Sequence, residues 1–152
     1  LQLMKNKDML IQKGSPSGSV CPGFMVMRCS KKILRLWDNV RDRLIADANN
    51  KNDQDILNDI LIFGNKMIMA RVLRKLKVKQ RHFYPNIYRI RWAYLPIAFL
   101  SLGAITGRIW HEEKKFDIPK NIILHHANWT IGCANKIAQL RYVKNVVNSR
   151  LK

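Results

Sequence analysis

The stretch ILHHANWTIGCANK, residues 123–136, contains residue types that bind phosphorylated ligands. His125 and His126 end an apolar run, Gly132 would let the backbone approach a ligand closely, and Lys136 supplies a positive charge. A helix that begins near Gly132 would add the free amide groups of its first turn. Together these features predict a pocket for a metal-bound diphosphate.

The two adjacent histidines cannot both play the same part. Neighbouring residues of a strand face opposite sides, so His125 and His126 would not ligate one metal from regular strand geometry. We expect one of them to be a ligand and the other to be structural. A histidine at a strand end is also compatible with a purely hydrogen-bonded role, and the sequence leaves that alternative open.

A second motif, D-Q-x-x-L-N, lies within NDQDILND at residues 52–59. The carboxylate of Asp53 and the carboxamide of Gln54 could hydrogen-bond the hydroxyls of a sugar. The same letters also suit a plain helix start, because acidic side chains in a first turn complement the helix dipole. Asn58, one turn further on, is expected to tie this helix to a neighbouring loop.

Short apolar strands that alternate with helices must position these motifs, which indicates an α/β layer structure. A Gly/Ser/Pro loop at 13–19 leads into a strand over 20–30, and Ser30 is the expected N-cap of the next helix. The predicted buried stripes of the three helices are Ile33, Leu36, Trp37, Val40 and Leu44; then Ile56, Leu57, Ile60 and Leu61; and finally Ala134, Ile137, Leu140 and Val143.

Two further segments are less regular. Residues 66–91 are basic and predict strand plus loop, and residues 92–121 are rich in turn formers. The aromatic packing anchors expected there are Trp92, Tyr94, Phe99 and Trp110. Residues 121–127 predict a strand that carries the two histidines.

The net charge of the chain indicates which kinds of partner it can attract. The chain has 28 Lys/Arg against 10 Asp/Glu, a net charge of +18, so it should attract polyanions, although a solvated basic face is the plain alternative. Cys21, Cys29 and Cys133 show no C-x-x-C spacing and predict neither a zinc finger nor a disulfide framework. The apolar run 93–105 is shorter than the roughly 20 residues that span a bilayer.

A resemblance links the motifs. CPGFMVMRCS, NDQDILND, YLPIAFLSLGAI and HHANWTIGCANKIAQL occur in the order found in the C-terminal half of a nucleotide-diphospho-sugar transferase. The sequence resembles the glycosyltransferase family 77 type from about Asp8 to Leu140, and it is similar to family 8 through D-Q-x-x-L-N. The resemblance implies the C-terminal portion of a GT-A type α/β fold, with residues 1–152 as one incomplete catalytic domain.

The resemblance implies a role for each residue of the late motif. His126 matches the protein ligand that joins the metal from the C-terminal side. Gly132 and Lys136 match positions that meet the donor diphosphate, and Asn128 belongs to the same donor-binding segment. The interval from the histidine to the glycine is longer than in family 8. The sequence therefore departs from the family pattern in the segment that places Lys136.

The earlier motifs are implied to face the sugar. Asp53 and Gln54 match a pair near the transferred sugar and are the implied catalytic residues. Whether Asp53 orients the sugar or Gln54 lies under the anomeric carbon is left open by the sequence. Gly23 and Phe24 match the strand that flanks the donor and acceptor sites.

The implied reaction is a retaining transfer from a nucleotide sugar, expected to be a UDP-sugar, to a glycan or glycoprotein. The implied cofactor is a divalent metal, Mn²⁺, and the implied location is the lumenal side of the Golgi membrane, with any anchor outside this chain. The family's Asp-x-Asp does not occur in these residues, so we expect the chain to begin just after it and to be inactive alone.

Two other functions fit the sequence. The high positive charge and the aromatic residues among basic ones at 82–94 would suit a nucleic-acid-binding module, although no RNA-binding signature is present and no nucleic acid partner is expected. A relative of the transferases that serves as a scaffold without activity is the other alternative.

Overall fold

The computed structural model describes residues 2–47, 50–63, 89–101, 110 and 115–151. Helices and strands are interspersed along the chain, so the protein has mixed α/β structure. The strands are β1 (Met9–Lys13), β2 (Val20–Met27), β3 (Trp92–Tyr94), β4 (Phe99–Ser101) and β5 (Leu124–His126). The helices are α1 (Lys31–Ala46), α2 (Asp53–Asn58) and α3 (Cys133–Ser149), with a 3-10 turn at Gln2–Met4 and a π-helical turn at Asp59–Phe63 that continues α2.

The strands form two small sheets. The first has the order β2-β1-β3. Backbone bonds from Arg28 to Asp8 and from Gly14 to Ser19 show that β1 and β2 run in opposite directions. In the second sheet β4 and β5 are parallel, and His126 lies opposite Ser101.

The chain divides into two compact units. Unit 1 comprises Leu1–Leu10 and Val26–Ala93, and unit 2 comprises Ile11–Met25 and Tyr94–Lys152. The helices α1 and α2 belong to unit 1, whereas β4, β5 and α3 belong to unit 2.

Unit 1 is organised by α1 and α2, which pack against each other. Ser30 caps α1 by accepting a hydrogen bond from the Ile33 amide, as predicted. Of the predicted stripe of α1, Ile33, Leu36 and Val40 are buried, whereas Trp37 and Leu44 are half-buried. The predicted stripe of the second helix, Ile56, Leu57, Ile60 and Leu61, is buried throughout.

A buried carboxylate fastens the start of β1 in unit 1. Asp8 accepts hydrogen bonds from the backbone amide and the guanidinium of Arg91 and from Lys32. Burial alone would raise its pKa, but these donors outweigh that effect and lower the pKa to about 2. Asp8 is therefore ionised at neutral pH and holds β1 to the segment that leads into β3.

Unit 2 joins an early stretch of the chain to a late one. The side-chain amide of Gln12, fully buried, donates to the carbonyl oxygens of Phe99 and Leu100. Ser101 donates to the Lys13 carbonyl, and Tyr94 donates to the Gly18 carbonyl. These bonds hold the β1–β2 connection against the sheet that carries the histidines.

The core of unit 2 corrects the predicted face of the last helix. Its buried cluster consists of Leu100, Trp110, Phe116, Ile118 and Val143. The helical residues that pack against this cluster are Ala138, Tyr142, Val146 and Val147. Of the predicted stripe only Val143 is buried; Ala134 is exposed, and Ile137 and Leu140 are 43% and 46% exposed. Because α3 has apolar residues on more than one side, the spacing of apolar residues alone predicted the wrong buried face.

The remaining predictions on local structure have mixed outcomes. Trp110 is buried as expected, whereas Trp92, Tyr94 and Phe99 are half-buried. The basic segment at 66–88 lies outside the described residues, so its prediction stays a prediction. None of the helices in the described part of the chain has the length and apolar character needed to cross a membrane.

The buried carboxylate makes a direct test of this packing. Asp8→Asn should lower the free energy of unfolding at pH 7 by about 1–3 kcal/mol, because charge-assisted hydrogen bonds from Arg91 and Lys32 are lost. The matched control is Asp42→Asn, which removes an exposed ion pair with Arg41 and should change stability by less than about 0.5 kcal/mol. Urea denaturation measures both, and equal effects would contradict the role of Asp8.

Candidate functional site

The imidazole of His126 lies directly on the backbone of Gly23, within unit 2. A Cβ at position 23 would overlap the Cε1 and Nδ1 atoms of His126, so only glycine fits beside the ring. Gly23 lies in β2 and His126 is the last residue of β5. The residue predicted to flank the donor and the residue predicted to bind the metal are thus in contact.

A thiol lies beside the same ring. The Sγ atom of Cys21 is 3.5 Å from Nδ1 of His126, and the Asn128 side-chain amide donates to that sulfur at 3.7 Å. Cys21 is only 2% exposed and forms no disulfide. The Asn128 backbone amide also donates to the His126 carbonyl, so a tight turn fixes both side chains.

The first turn of α3 supplies positive charge next to the histidine. Burial lowers the pKa of His126, and the nearby charge of Lys136 lowers it further, so the ring is neutral at pH 7. Gly132, with φ of +83°, begins the helix without a side-chain cap, and no atom of the described residues lies within 4 Å of a Cβ built there. The first-turn amides are therefore accessible beside a cationic side chain.

The backbone before α3 is strained at one residue. Trp129 has φ of +61°, a conformation that L-residues other than Gly, Asn and Asp rarely adopt. Its side chain is 50% exposed. Strain of this kind persists where the surroundings fix the loop, here through Asn128 and the buried Thr130.

The other histidine points into the core of unit 2, so the two rings have different surroundings. His125 stacks on Phe116 at a centroid distance of 5.8 Å. Burial lowers the pKa of His125 to about 4, a shift that the neighbouring Gln139 opposes. Neither ring nitrogen has a hydrogen-bond partner of good geometry in the part of the chain that the structure describes. His125 is therefore a neutral structural residue.

The predicted sugar-binding pair lies at the start of α2, in unit 1. Asp53 is exposed and accepts a hydrogen bond from the Gln54 amide, while Asn52 and Asp55 form a reciprocal capping box. The Asn58 side chain donates to the Gln54 carbonyl within the same helix. These contacts account for the helix start, and a role for Asp53 and Gln54 toward a sugar stays a prediction.

Phe24 follows Gly23 in β2 and stacks on Phe99 at a centroid distance of 5.6 Å. The stacking holds β2 against β4 next to the His126 ring, within unit 2. Its proposed contact with a donor or acceptor sugar stays a prediction, since the ring already serves this packing.

The side chains around His126 do not suit Mn²⁺. Manganese prefers carboxylate, carbonyl and water oxygens, whereas the described side-chain partner of the ring at Nδ1 is the thiol of Cys21. Nowhere in the described ranges do three His, Cys, Asp or Glu side chains gather in a metal-binding arrangement. We therefore assign manganese no step of a reaction at this ring.

Comparison with known proteins yields no relative: no protein-family model, no curated protein and no solved structure matches this chain.

Sequence reasoning missed Cys21 as a member of the site. Cys21 and His126 are separated by 105 positions, so no local spacing could connect them. One signal was available: Gly23 in an otherwise apolar strand marks a place where another group approaches the backbone closely.

Acid should destabilise the protein through His125. Its pKa is about 4 when folded and about 6.5 when unfolded, so below pH 6.5 the unfolded state binds more protons and stability falls toward pH 4. Between pH 7 and pH 4 the wild type should lose about 3 kcal/mol more than His125→Phe, which keeps the stack on Phe116 without a titrating group. Urea denaturation at each pH measures the difference; parallel losses would contradict a buried neutral ring.

Proposed function

We propose that this protein is a nucleotide-diphospho-sugar transferase of the GT-A type, in which β5 and the start of α3 bind the donor diphosphate. The observation that carries the proposal is the set of hydrogen-bond donors at the start of α3, in unit 2. Lys136 lies close enough to His126 to lower its pKa, and the first turn of α3 has no side-chain cap. A diphosphate is a ligand that accepts from backbone amides and pairs with a lysine.

The transfer of a sugar from a nucleotide diphosphate needs positive charge and hydrogen-bond donors beside the diphosphate. When a sugar leaves a nucleotide diphosphate, negative charge grows on the departing oxygens. A fixed ammonium group and oriented amides stabilise that charge most when they are already in place, because nothing has to reorganise. The hydrogen bond from Asn128 to Cys21 and the contact of His126 with Gly23 hold the segment that leads into α3. The donors are therefore fixed before a ligand arrives.

The other parts of the proposal rest on the sequence resemblance. Asp53 and Gln54 would act on the transferred sugar, and Gly23 and Phe24 would flank the donor and acceptor. The donor class would be a UDP-sugar, the acceptor a glycan or glycoprotein, and the location the Golgi lumen. Mn²⁺ would require oxygen ligands in addition to His126, whose described side-chain partner at Nδ1 is the Cys21 thiol.

The nucleic-acid alternative is favoured by one observation, the absence of acidic residues from α3, which carries Lys136, Arg141 and Lys144. Nucleic acid would bind such a face through its phosphates, with a steep dependence on salt and without preference for one lysine. A diphosphate at the helix start depends chiefly on Lys136.

The test is a titration of the ¹⁵N-labelled chain with UDP and with inorganic pyrophosphate, followed by NMR. We expect saturable shifts confined to the amides of residues 132–136. Lys136→Gln should weaken binding about tenfold, the loss of one charge-assisted hydrogen bond. The matched control is Lys144→Gln, an exposed lysine of the same helix with the same charge change, which should leave the affinity within about twofold.

Two results would contradict the proposal. One is the absence of saturable shifts at the start of α3. The other is an equal loss in the two lysine variants, together with tight, steeply salt-dependent binding of a single-stranded oligonucleotide, which would favour the nucleic-acid alternative.

A further inference from the structure

We propose that this chain forms an antiparallel homodimer through the outer face of α1, so that the partner of this helix is the same helix of a second copy. The inference does not rest on the transferase function. It rests on four exposed residues of unit 1, whose order along the helix is complementary to its own reverse: Leu34, Asp38, Arg41 and Ile45.

These four residues form one stripe along α1 that faces away from the core. They are spaced by four, three and four positions, which aligns side chains on one side of a helix. Leu34 and Ile45 are 59% and 73% exposed, and the side chains of Asp38 and Arg41 are 58% and 62% exposed. The buried residues of α1 lie on a different stripe. The outer stripe thus presents a large apolar side chain at each end and an acid and a base between them.

Two copies of the stripe match each other when they run in opposite directions. Leu34 of one copy then lies opposite Ile45 of the other, and Asp38 lies opposite Arg41. Each pair occurs twice around a two-fold axis, as a contact between identical surfaces requires. A parallel pair would instead set Asp38 against Asp38 and Arg41 against Arg41, and like charges repel. The pattern therefore specifies the antiparallel arrangement.

The residues that flank the stripe follow the same symmetry. Flanking side chains of two paired helices meet along the edges of the contact, here positions 35 and 42 on one edge and positions 37 and 44 on the other. Arg35 and Asp42 are exposed and of opposite charge, whereas Trp37 and Leu44 are half-buried and apolar. The Trp37 indole is already fixed, because its Nε1 donates to the Met27 sulfur at 3.1 Å. Both edges are thus complementary to themselves.

The charge of this face favours a second copy over a polyanion. The whole chain has a net charge of +18, which attracts polyanions to its basic surfaces. Within residues 34–45 of this face, however, Asp38 and Asp42 balance Arg35 and Arg41. Arg41 pairs with these two acids at 3.1 and 2.9 Å, and its five N–H donors leave room for Asp38 of the other copy. Two basic chains can therefore approach each other here.

The contact is short, so we expect a dimer that depends on concentration. The helix rises about 16 Å from Leu34 to Ile45, and a contact of that length buries less than the roughly 1,200–2,000 Å² of a stable complex. The central pair of Asp38 and Arg41 sets register and direction more than affinity, because the cost of desolvating the charges offsets their attraction. The dimer should form at chain concentrations of about 100 μM.

The test is sedimentation velocity of the complete chain from about 5 to about 500 μM, in about 0.15 M salt to screen long-range repulsion. The wild type should change from monomer to dimer over this range. Ile45→Glu should raise the dissociation constant at least tenfold, because it sets a carboxylate against Leu34 of the other copy. The matched control is Ile123→Glu in unit 2, the same change at a side chain that is 71% exposed, which should leave the constant within twofold.

Two charge variants test the pairing itself. Asp38→Lys leaves only cations at the centre of the stripe, and Arg41→Glu leaves only anions, so each variant alone should stay monomeric. An equimolar mixture of the two should recover a dimer, because the cations of one variant then meet the anions of the other. Both side chains are exposed, so the variants should fold, and far-ultraviolet circular dichroism checks that they do.

Three results would overturn the proposal: a wild type that stays monomeric at about 500 μM, equal weakening by Ile45→Glu and Ile123→Glu, or a mixture of the charge variants that does not associate. A monomeric chain in which vesicles containing phosphatidylserine shift the α1 amide resonances would also overturn it and would assign the face to a membrane.

Discussion

The contact between the His126 imidazole and the backbone of Gly23 is the constraint on which the rest of the site depends. A side chain of any size at position 23 would occupy the space of the ring. With glycine there, the end of β5 can lie against β2. The Cys21 sulfur then comes within hydrogen-bonding distance of the ring, and the Asn128 side chain within hydrogen-bonding distance of that sulfur. Gly23, which has no side chain, thereby allows Cys21, His126 and Asn128 to come together.

Two chemically different groups act on the ring. Nδ1 of His126 faces the buried Cys21 thiol, and the charge of Lys136, in the first turn of the uncapped helix α3, helps to lower the pKa of the ring. A lysine and free backbone amides at a helix start favour anions, which is the physical basis for proposing a diphosphate here.

Local features were predictable from the sequence, and long-range ones were not. The cap at Ser30 and the inward residues of the helix at 53–63 follow from short-range chemistry and periodicity, and both are observed. The face of α3 was mispredicted because Ile137 and Leu140 compete with Tyr142 and Val146 for burial, and only the packed core decides. The thiol beside His126 depends on a contact across 105 positions, which no local pattern encodes.

NMR can observe the contact between His126 and Gly23 directly. A nuclear Overhauser spectrum should contain strong cross-peaks between the α protons of Gly23 and Hε1 of His126. Those α protons should also be displaced from random-coil positions by the ring current, because the ring occupies the space where a Cβ of residue 23 would lie. Random-coil shifts at Gly23 and no cross-peak to His126, in a chain whose α3 and β5 are otherwise folded, would contradict the account.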